Sequence, residues 1–364
     1  MGLISALDSA LARLGATRLH VLVVETPGSF VVRAAVEHAC RVRGWPLAVS
    51  PGDADALLVC GAAPEGGFAD AVERLWSSLP GPRVRAGVTT AAAVPMTLNE
   101  LAAAYRDWDA TADPGSAPQP DESDPRGDEV MGREDLGGMD ADDMGGMDMS
   151  GPGGIALASG ADDRDGLEMD VLHLPLGPVL AGWPPGWTVL VTLQGDVITE
   201  VDVQHAAPPA ALDAAAYRLD AAAQLLALAG ADVLAARAGR ARDVRLGLVP
   251  DGPDPAALRR SVKRSQVLRW ALRHVGPIDS VGEHDWPAVW TGDAYDRLLR
   301  LLEPAGVDSH GAGDAGGAVP GDVLAEALPR LLAGSELASA RLTVASLVGL
   351  AAVTSPSGSD EVSA

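Results

Sequence analysis

Lysine is almost absent from this chain: Lys263 is the only one, and every other basic side chain apart from the seven histidines is arginine. Cysteine is nearly as scarce. Cys40 and Cys60 are the only two, too few for a disulfide framework or a four-thiolate cluster. Their apolar surroundings predict two small buried side chains. No apolar run reaches the roughly 20 residues that a membrane-spanning helix needs; Leu342 to Val353 comes nearest. The first residues have no basic stretch, and Asp8 interrupts their apolar pattern, which argues against a secretory signal. A basic face is missing too. The formal charge is −23, so a nucleic-acid partner, which binds by counterion displacement, is disfavoured. The chain reads as cytoplasmic, with no direct membrane span.

The negative charge is concentrated. Between Asp107 and Asp170 there are 19 acidic residues and 3 arginines, which leaves the flanking parts only mildly acidic. From 109 to 165 the sequence is rich in Asp, Gly, Pro and Ser, without apolar periodicity. A segment of that composition cannot bury enough surface to offset its ordering entropy. A disordered acidic Met/Gly/Asp linker is therefore expected over 109–165, between an α/β domain at 1–108 and a hairpin-plus-helix domain at 166–353, with a tail at 354–364.

Within the first part, Leu3 to Leu14 has helical apolar spacing. Arg18–Glu25, Asp55–Cys60 and Arg83–Val88 read as buried strands, and Phe30–Arg43, Phe68–Leu79 and Thr97–Trp108 as helices. Strand and helix alternating over short connections predict a parallel α/β layer. In the second part, Trp187–Gln194 and Val197–Val203 flank the turn pair Gly195-Asp196, an antiparallel hairpin. Ile198, Val201 and Val203 do not share one face, so a bulge is expected near the turn. Pro175, Pro178, Pro184 and Pro185 keep the approach to the hairpin extended and turned. Beyond it the spacing predicts a helix from Ala210 to about Ala229, breaks at Gly230 and Gly239, and a short basic stretch at Arg237–Arg245. One helix over Asp254–His274, an aromatic segment at Trp286–Leu302, and closing helices at Asp322–Leu332 and Glu336–Val353 follow. The fold class is thus α/β plus α+β.

Few residues suggest chemistry. The turn Thr26-Pro27-Gly28-Ser29 follows a strand and precedes a helix, where amides can receive an anion. It lacks the lysine of a P-loop and the triple glycine of a dinucleotide fingerprint, which favours an ordinary capped turn. Met131, Met139, Met144, Met147 and Met149 lie among aspartates. Thioethers suit Cu(I), but no histidine lies in that segment, and a solvated spacer is the simpler reading. His173, His205, His274 and His284 are scattered without metal-ligand spacing, and no H-E-x-x-H or G-x-S-x-G pattern occurs. Trp270, Trp286 and Trp290 read as core or interface residues. No catalytic, cofactor-binding or metal residue is assigned.

Two stretches carry a resemblance. DADALLVCGAAPEGGFADAVERLWSSLPGPRVRAGVTTAAAV resembles the core of the cluster-bearing small subunit shared by respiratory complex I and the [NiFe] hydrogenases. LHLPLGPVLAGWPPGWTVLVTLQGDVI is similar to the N-terminal hairpin of the partner large subunit, the quinone-site subunit of complex I. Gly177-Pro178, Pro184 to Gly186, Gly195-Asp196 and Val197-Ile198 occupy the family's places there. ARLTVASL near the end echoes the family's C-terminal segment. The resemblance covers residues 18–95 and 168–204, and implies one chain that fuses both halves of a redox module.

The departures fall on the redox centres. Where the family's small subunit has cysteines after its first strand, this chain has Thr26-Pro27-Gly28-Ser29; where a later one follows the third strand, it has Thr89-Thr90-Ala91. The loop expected to hold the quinone-contacting histidine reads Ala181-Gly182-Trp183, and the nickel-binding cysteine pairs are missing. A cluster is ordinarily held by four thiolates. The resemblance therefore implies a pseudo-subunit without an Fe–S cluster: a non-catalytic accessory or assembly protein that binds a membrane-associated redox complex or its assembly factors, and meets the inner face of the membrane only through that partner. An oxidoreductase component (NADH-quinone oxidoreductase or hydrogenase-like) that keeps a quinone or cofactor cleft, and a metal-handling protein that uses the Met/Asp segment, are the alternatives.

Overall fold

The computed structural model describes residues 18–108, 159–162, 168–205, 213–279, 286–303 and 321–350. In the first part, β1 (Val21–Glu25), α1 (Phe30–Arg43), β2 (Ala56–Cys60), α2 (Gly66–Ser78), β3 (Val84–Val88) and α3 (Val94–Arg106) follow one another. The strands form a parallel sheet in the order β1-β2-β3, with Val23 opposite Leu58 and Leu58 opposite Ala86. The central strand, ALLVC, is covered on both faces, which is why it reads as a continuous apolar run rather than an alternating one. Leu58 packs with α1 and α3 on one side, and Leu57 with Val72 of α2 on the other. Gly44 ends α1 in the left-handed conformation (φ 70°), its N–H capping the carbonyl of Arg41. The mixed α/β class and the parallel layer agree with the sequence reading.

The second part opens with an antiparallel sheet in the order β4-β5-β6-β7, built from Ser159–Asp162, Glu168–Leu176, Thr188–Gln194 and Val197–His205. The hairpin stands where the sequence placed it, and its register shifts between Thr192 and Leu193, beside the turn, as the split faces required. Val189, Val191 and Leu193 are buried while their neighbours are half-exposed, so one face of β6 enters the core.

That core is completed by α4 (Ala214–Leu228), α5 (Asp232–Arg245), α6 (Pro255–Arg264), α7 (Gln266–Leu272), α8 (Ala294–Leu301), α9 (Gly321–Leu332) and α10 (Leu337–Val348). The hairpin turn is stitched to the α9–α10 connection: Ile198 N–H donates to the Ser335 carbonyl at 2.9 Å, and Leu337 N–H to the Asp196 carbonyl at 2.9 Å.

Four expectations are corrected. Ser159–Asp162, placed in the acidic linker, forms an edge strand paired with β5. Pro175 lies inside β5 opposite Leu190 rather than only bracketing the hairpin. Gly230 does end a helix (φ 73°), but Gly239 is buried within α5. The helix expected over Asp254–His274 is two, because Ser265 is extended (ψ 107°) and its hydroxyl accepts from Leu268 N–H, capping the second. The helix expected at Leu3–Leu14, the rest of 109–165 with its five methionines, His284 and the tail lie outside the described residues. Among the described residues no helix is long and apolar enough to cross a membrane.

Candidate functional site at the junction of the two parts

Charge placed where water cannot reach needs a partner, and the largest such cluster lies between the α/β layer and the helical part. Arg33, Glu37 and Arg41 stand one turn apart on α1. Asp220 on α4 and Arg242 and Asp243 on α5 face them from the other part. Arg33 reaches three carboxylates. Its Nε pairs with Glu25 at the end of β1 and one Nη with Glu37, while its second Nη donates to Asp220 Oδ2 at 2.6 Å. Arg242 donates to Glu37 Oε2 at 2.7 Å, to Asp220 Oδ1 at 2.6 Å and to Asp243 Oδ1 at 2.8 Å. Arg41 donates to Asp243 Oδ2 at 2.8 Å, with His38 Nδ1 3.4 Å from the same oxygen. Gln224 Nε2 donates to Asp220 Oδ2 at 2.7 Å.

The side chains of Arg242, Asp220 and Asp243 are 1%, 2% and 0% exposed, so the centre of the network is buried, while Arg41, 36% exposed, reaches its rim. Burial works to raise the carboxyl groups of Glu37 and Asp220, but the Arg33 and Arg242 guanidiniums outweigh it and hold both below the usual carboxylate range. At Glu25 burial wins over Arg33, and the carboxyl is pushed up. Arg33 and Arg242, surrounded by carboxylates, are held more firmly protonated than free arginine despite burial. The cluster sets four carboxylates against three guanidiniums, and Glu25, paired with Arg33 alone, keeps the upward shift that burial imposes, with Asp220 and Glu37 adding to it.

Beside the network lies a cleft of about 320 Å³, part of it open solvent. It is lined by Glu25 and Arg33, by Tyr217, Asp220 and Gln224 of α4, by Gly182, Trp183 and Pro185 of the loop before β6, and by α10. Its enclosed space suits roughly one or two waters. Tyr217 packs edge-on against Phe30 at 5.5 Å, and burial beside Glu25 and Asp220 raises its hydroxyl pKa. Gly182 is required at its place, since its φ is +72° and a Cβ would stand 2.5 Å from Leu228 Cδ1. Of the two loops singled out by the resemblance, the one before β6 lines this cleft, while at β1 it is the strand end Glu25 that does so.

The turn Thr26-Pro27-Gly28-Ser29 is closed on itself. Thr26 Oγ1 donates to the Cys60 carbonyl at 2.9 Å and lies 3.1 Å from Ser29 Oγ. A Cβ on Gly61 would fall 1.8 Å from Ser29 Oγ, so β2's exit is packed directly against these hydroxyls. Cys40 and Cys60 are both buried, as expected. Burial pushes the Cys40 thiol up to about 12, and the Cys60 thiol higher still, which makes both poor nucleophiles and poor ligands at neutral pH.

No family model, curated protein or solved structure matches this chain. Its own geometry carries the reading.

The remaining candidates are dispersed. His173 lies exposed on β5 with its ring 3.1 Å from Thr192 Oγ1, and His274 is exposed after α7 in a left-handed conformation (φ 66°). Among the described residues no three His, Cys, Asp or Glu side chains come together as a metal site. Trp290 is fully buried with Trp286 6.4 Å away, but Trp270, expected with them, is 78% exposed. Another buried cation, Arg297, donates to Ser346 Oγ at 2.7 Å and to the carbonyls of Gly276, Gly292 and Trp290. With no carboxylate in that hydrogen-bond shell, burial lowers its pKa to about 10. It fastens α8 to α10 and to the connection that precedes α8.

The sequence reading missed the network. By local pattern Arg237–Arg245 is a basic stretch and Ala210–Ala229 a plain apolar helix. The available signal was Asp220 itself, an acid in the middle of YRLDAAAQLLAL, where burial demands a cation from elsewhere.

Proposed function

We propose that this chain is a non-catalytic scaffold: a fused pseudo-subunit of the complex I/[NiFe] hydrogenase type that binds a partner of such a redox complex as an accessory or assembly protein. The carrying observation is the junction. There the end of β1 (Glu25), Arg33 of α1 and the loop before β6 line one cleft beside a largely buried network of paired charges. Buried ion pairs add little net stability over apolar packing but penalise every misaligned arrangement, which suits a part whose work is to hold a shape. The hydroxyls of Thr26 and Ser29, turned inward onto Gly61 and the Cys60 carbonyl, offer no thiolate to an iron.

A second reading has one observation in its favour. The cleft lined by Trp183, Tyr217, Gln224 and Glu25 combines aromatic and polar groups as small-molecule sites do; its enclosed space fits only roughly one or two waters, so the alternative, a component that keeps a quinone or cofactor cleft, requires this cleft to open on binding. The experiment is anaerobic purification of the tagged chain from its native cells, followed by iron, acid-labile sulfide and quinone determination and identification of co-purifying chains. Recovery of subunits or assembly factors of a complex I or hydrogenase, with no iron on the chain itself, supports the scaffold. Stoichiometric iron and sulfide, or a tightly held quinone lost in Trp183→Ala, would overturn it in favour of the redox reading.

A further inference from the structure

The described residues 255–278 contain six cations and no acid. Leu258, Val262, Leu268 and Leu272 of α6 and α7 point into the core, while Arg260, Lys263, Arg264, Val267, Arg269 and Trp270 are exposed. Three of the six cations are spoken for: Arg259 by Glu303, Arg260 by Asp254, and Arg273 by Asp293 and Asp296. Lys263, Arg264 and Arg269 have no carboxylate partner among the described residues. Between them Val267 is 69% and Trp270 78% exposed, and Trp270 takes part in no ring or cation–π contact there. In a chain of net charge −23, unpaired cations around a bare indole form an unusual surface. Tryptophan and arginine together are what protein interfaces use as anchors.

We propose that this face of α6 and α7 is the docking surface for the chain's own acidic segment Glu129–Met149. Charge and apolar complementarity select that occupant. EVMGREDLGGMDADDMGGMDM interleaves carboxylates with methionine and leucine. The carboxylates match Lys263, Arg264 and Arg269, and thioethers pack well on an indole. Reach allows it, since the roughly twenty residues after Trp108 extend up to about 70 Å. An anionic bilayer fits less well: one indole and one valine bury little area, and the chain's net charge repels such a surface.

The single lysine makes the test specific. Treating the intact chain at low salt with a water-soluble carbodiimide joins the Lys263 ε-amine to any carboxylate in contact with it, and peptide mass spectrometry locates the bond. The expected products link Lys263 to Glu134, Asp135, Asp140, Asp142, Asp143 or Asp148 within one chain. Their yield should fall at least fivefold in about 0.5 M salt, where the Debye length is only a few ångströms, and severalfold in Trp270→Ser, which keeps every charge. Links only to Asp254 or other carboxylates of the folded parts, links only between two chains, or a yield indifferent to Trp270→Ser would each overturn the proposal. So would Trp270-dependent co-sedimentation of the intact chain with phosphatidylserine vesicles, which would assign the face to a membrane.

Discussion

Replacing Arg242 by methionine is the most direct perturbation of the junction. Methionine keeps the aliphatic volume of the arginine stem but removes five N–H donors, four of whose contacts are made to Glu37, Asp220 and Asp243. Arg33 still holds Asp220 and Glu37, and Arg41 still holds Asp243, so no acid is left bare. Even so, four carboxylates then face two guanidiniums in a space where Asp220 and Asp243 are 2% and 0% exposed. Removing one partner of a buried pair costs about 3–5 kcal/mol; the surviving arginines place the expectation near the lower end, about 3 kcal/mol. The control is Arg85→Met, which breaks a pair with Glu73 whose side chains are 52% and 62% exposed and should cost under about 1 kcal/mol. Chemical denaturation of both variants at pH 7 measures the difference. A double-mutant cycle with Asp220→Asn then asks whether Arg242 and Asp220 are coupled by more than the roughly 0.5 kcal/mol expected of independent sites. If Arg242→Met costs no more than Arg85→Met, the network is not dry and the scaffold argument loses its footing.

Two further outcomes follow from named groups. Because the Glu25 carboxyl is raised on folding, the protonated form is favoured in the native state. Its contribution is full below the unfolded-state pKa and lost as pH rises through the folded value. Glu25→Gln should therefore match or exceed the wild type in thermal stability at pH 8, with the advantage shrinking towards pH 4, and a variant less stable at pH 8 than at pH 5 relative to wild type would refute this. Glu37 and Asp220, held low, act in the opposite sense: their stabilisation is present above the ordinary carboxylate range and disappears as pH falls through their folded values. Val191→Asp places an unpaired charge at a fully buried position of β6 and should cost several kcal/mol, order of magnitude, in chemical denaturation; wild-type stability there would mean the strand's buried face is misassigned.

The elements that were legible in the sequence are those whose pattern is local. β2 is an unbroken apolar run because both faces are covered, and β6 is legible from its β-branched, apolar run before the Gly195-Asp196 turn, although only alternate residues of it are buried. Gly44 marks the end of α1, and the split faces of Ile198, Val201 and Val203 announced a real register shift. Local rules failed where a single residue had two readings. Ser265 is compatible with helix, yet its hydroxyl serves better as the cap of α7. Gly239 is a helix breaker by propensity, yet it lies buried in α5 with Arg41 Nη2 3.9 Å from where a Cβ would stand. The junction was illegible because the pairs that cross it join residues 187 to 205 positions apart. For Trp270 the sequence left core and interface open, and only the fold shows that it is exposed rather than in the core.

The signs along α1 have a mechanical consequence. Arg33, Glu37 and Arg41 read plus, minus, plus at one-turn intervals, and Asp220, Arg242 and Asp243 answer minus, plus, minus. Sliding the helix by one turn, about 5.4 Å, would set arginine against arginine and glutamate against aspartate. Greasy contacts tolerate such a slip; this one does not. The junction works as a key cut to a single lock position, so a partner that grips either part is presented with the other at a fixed offset.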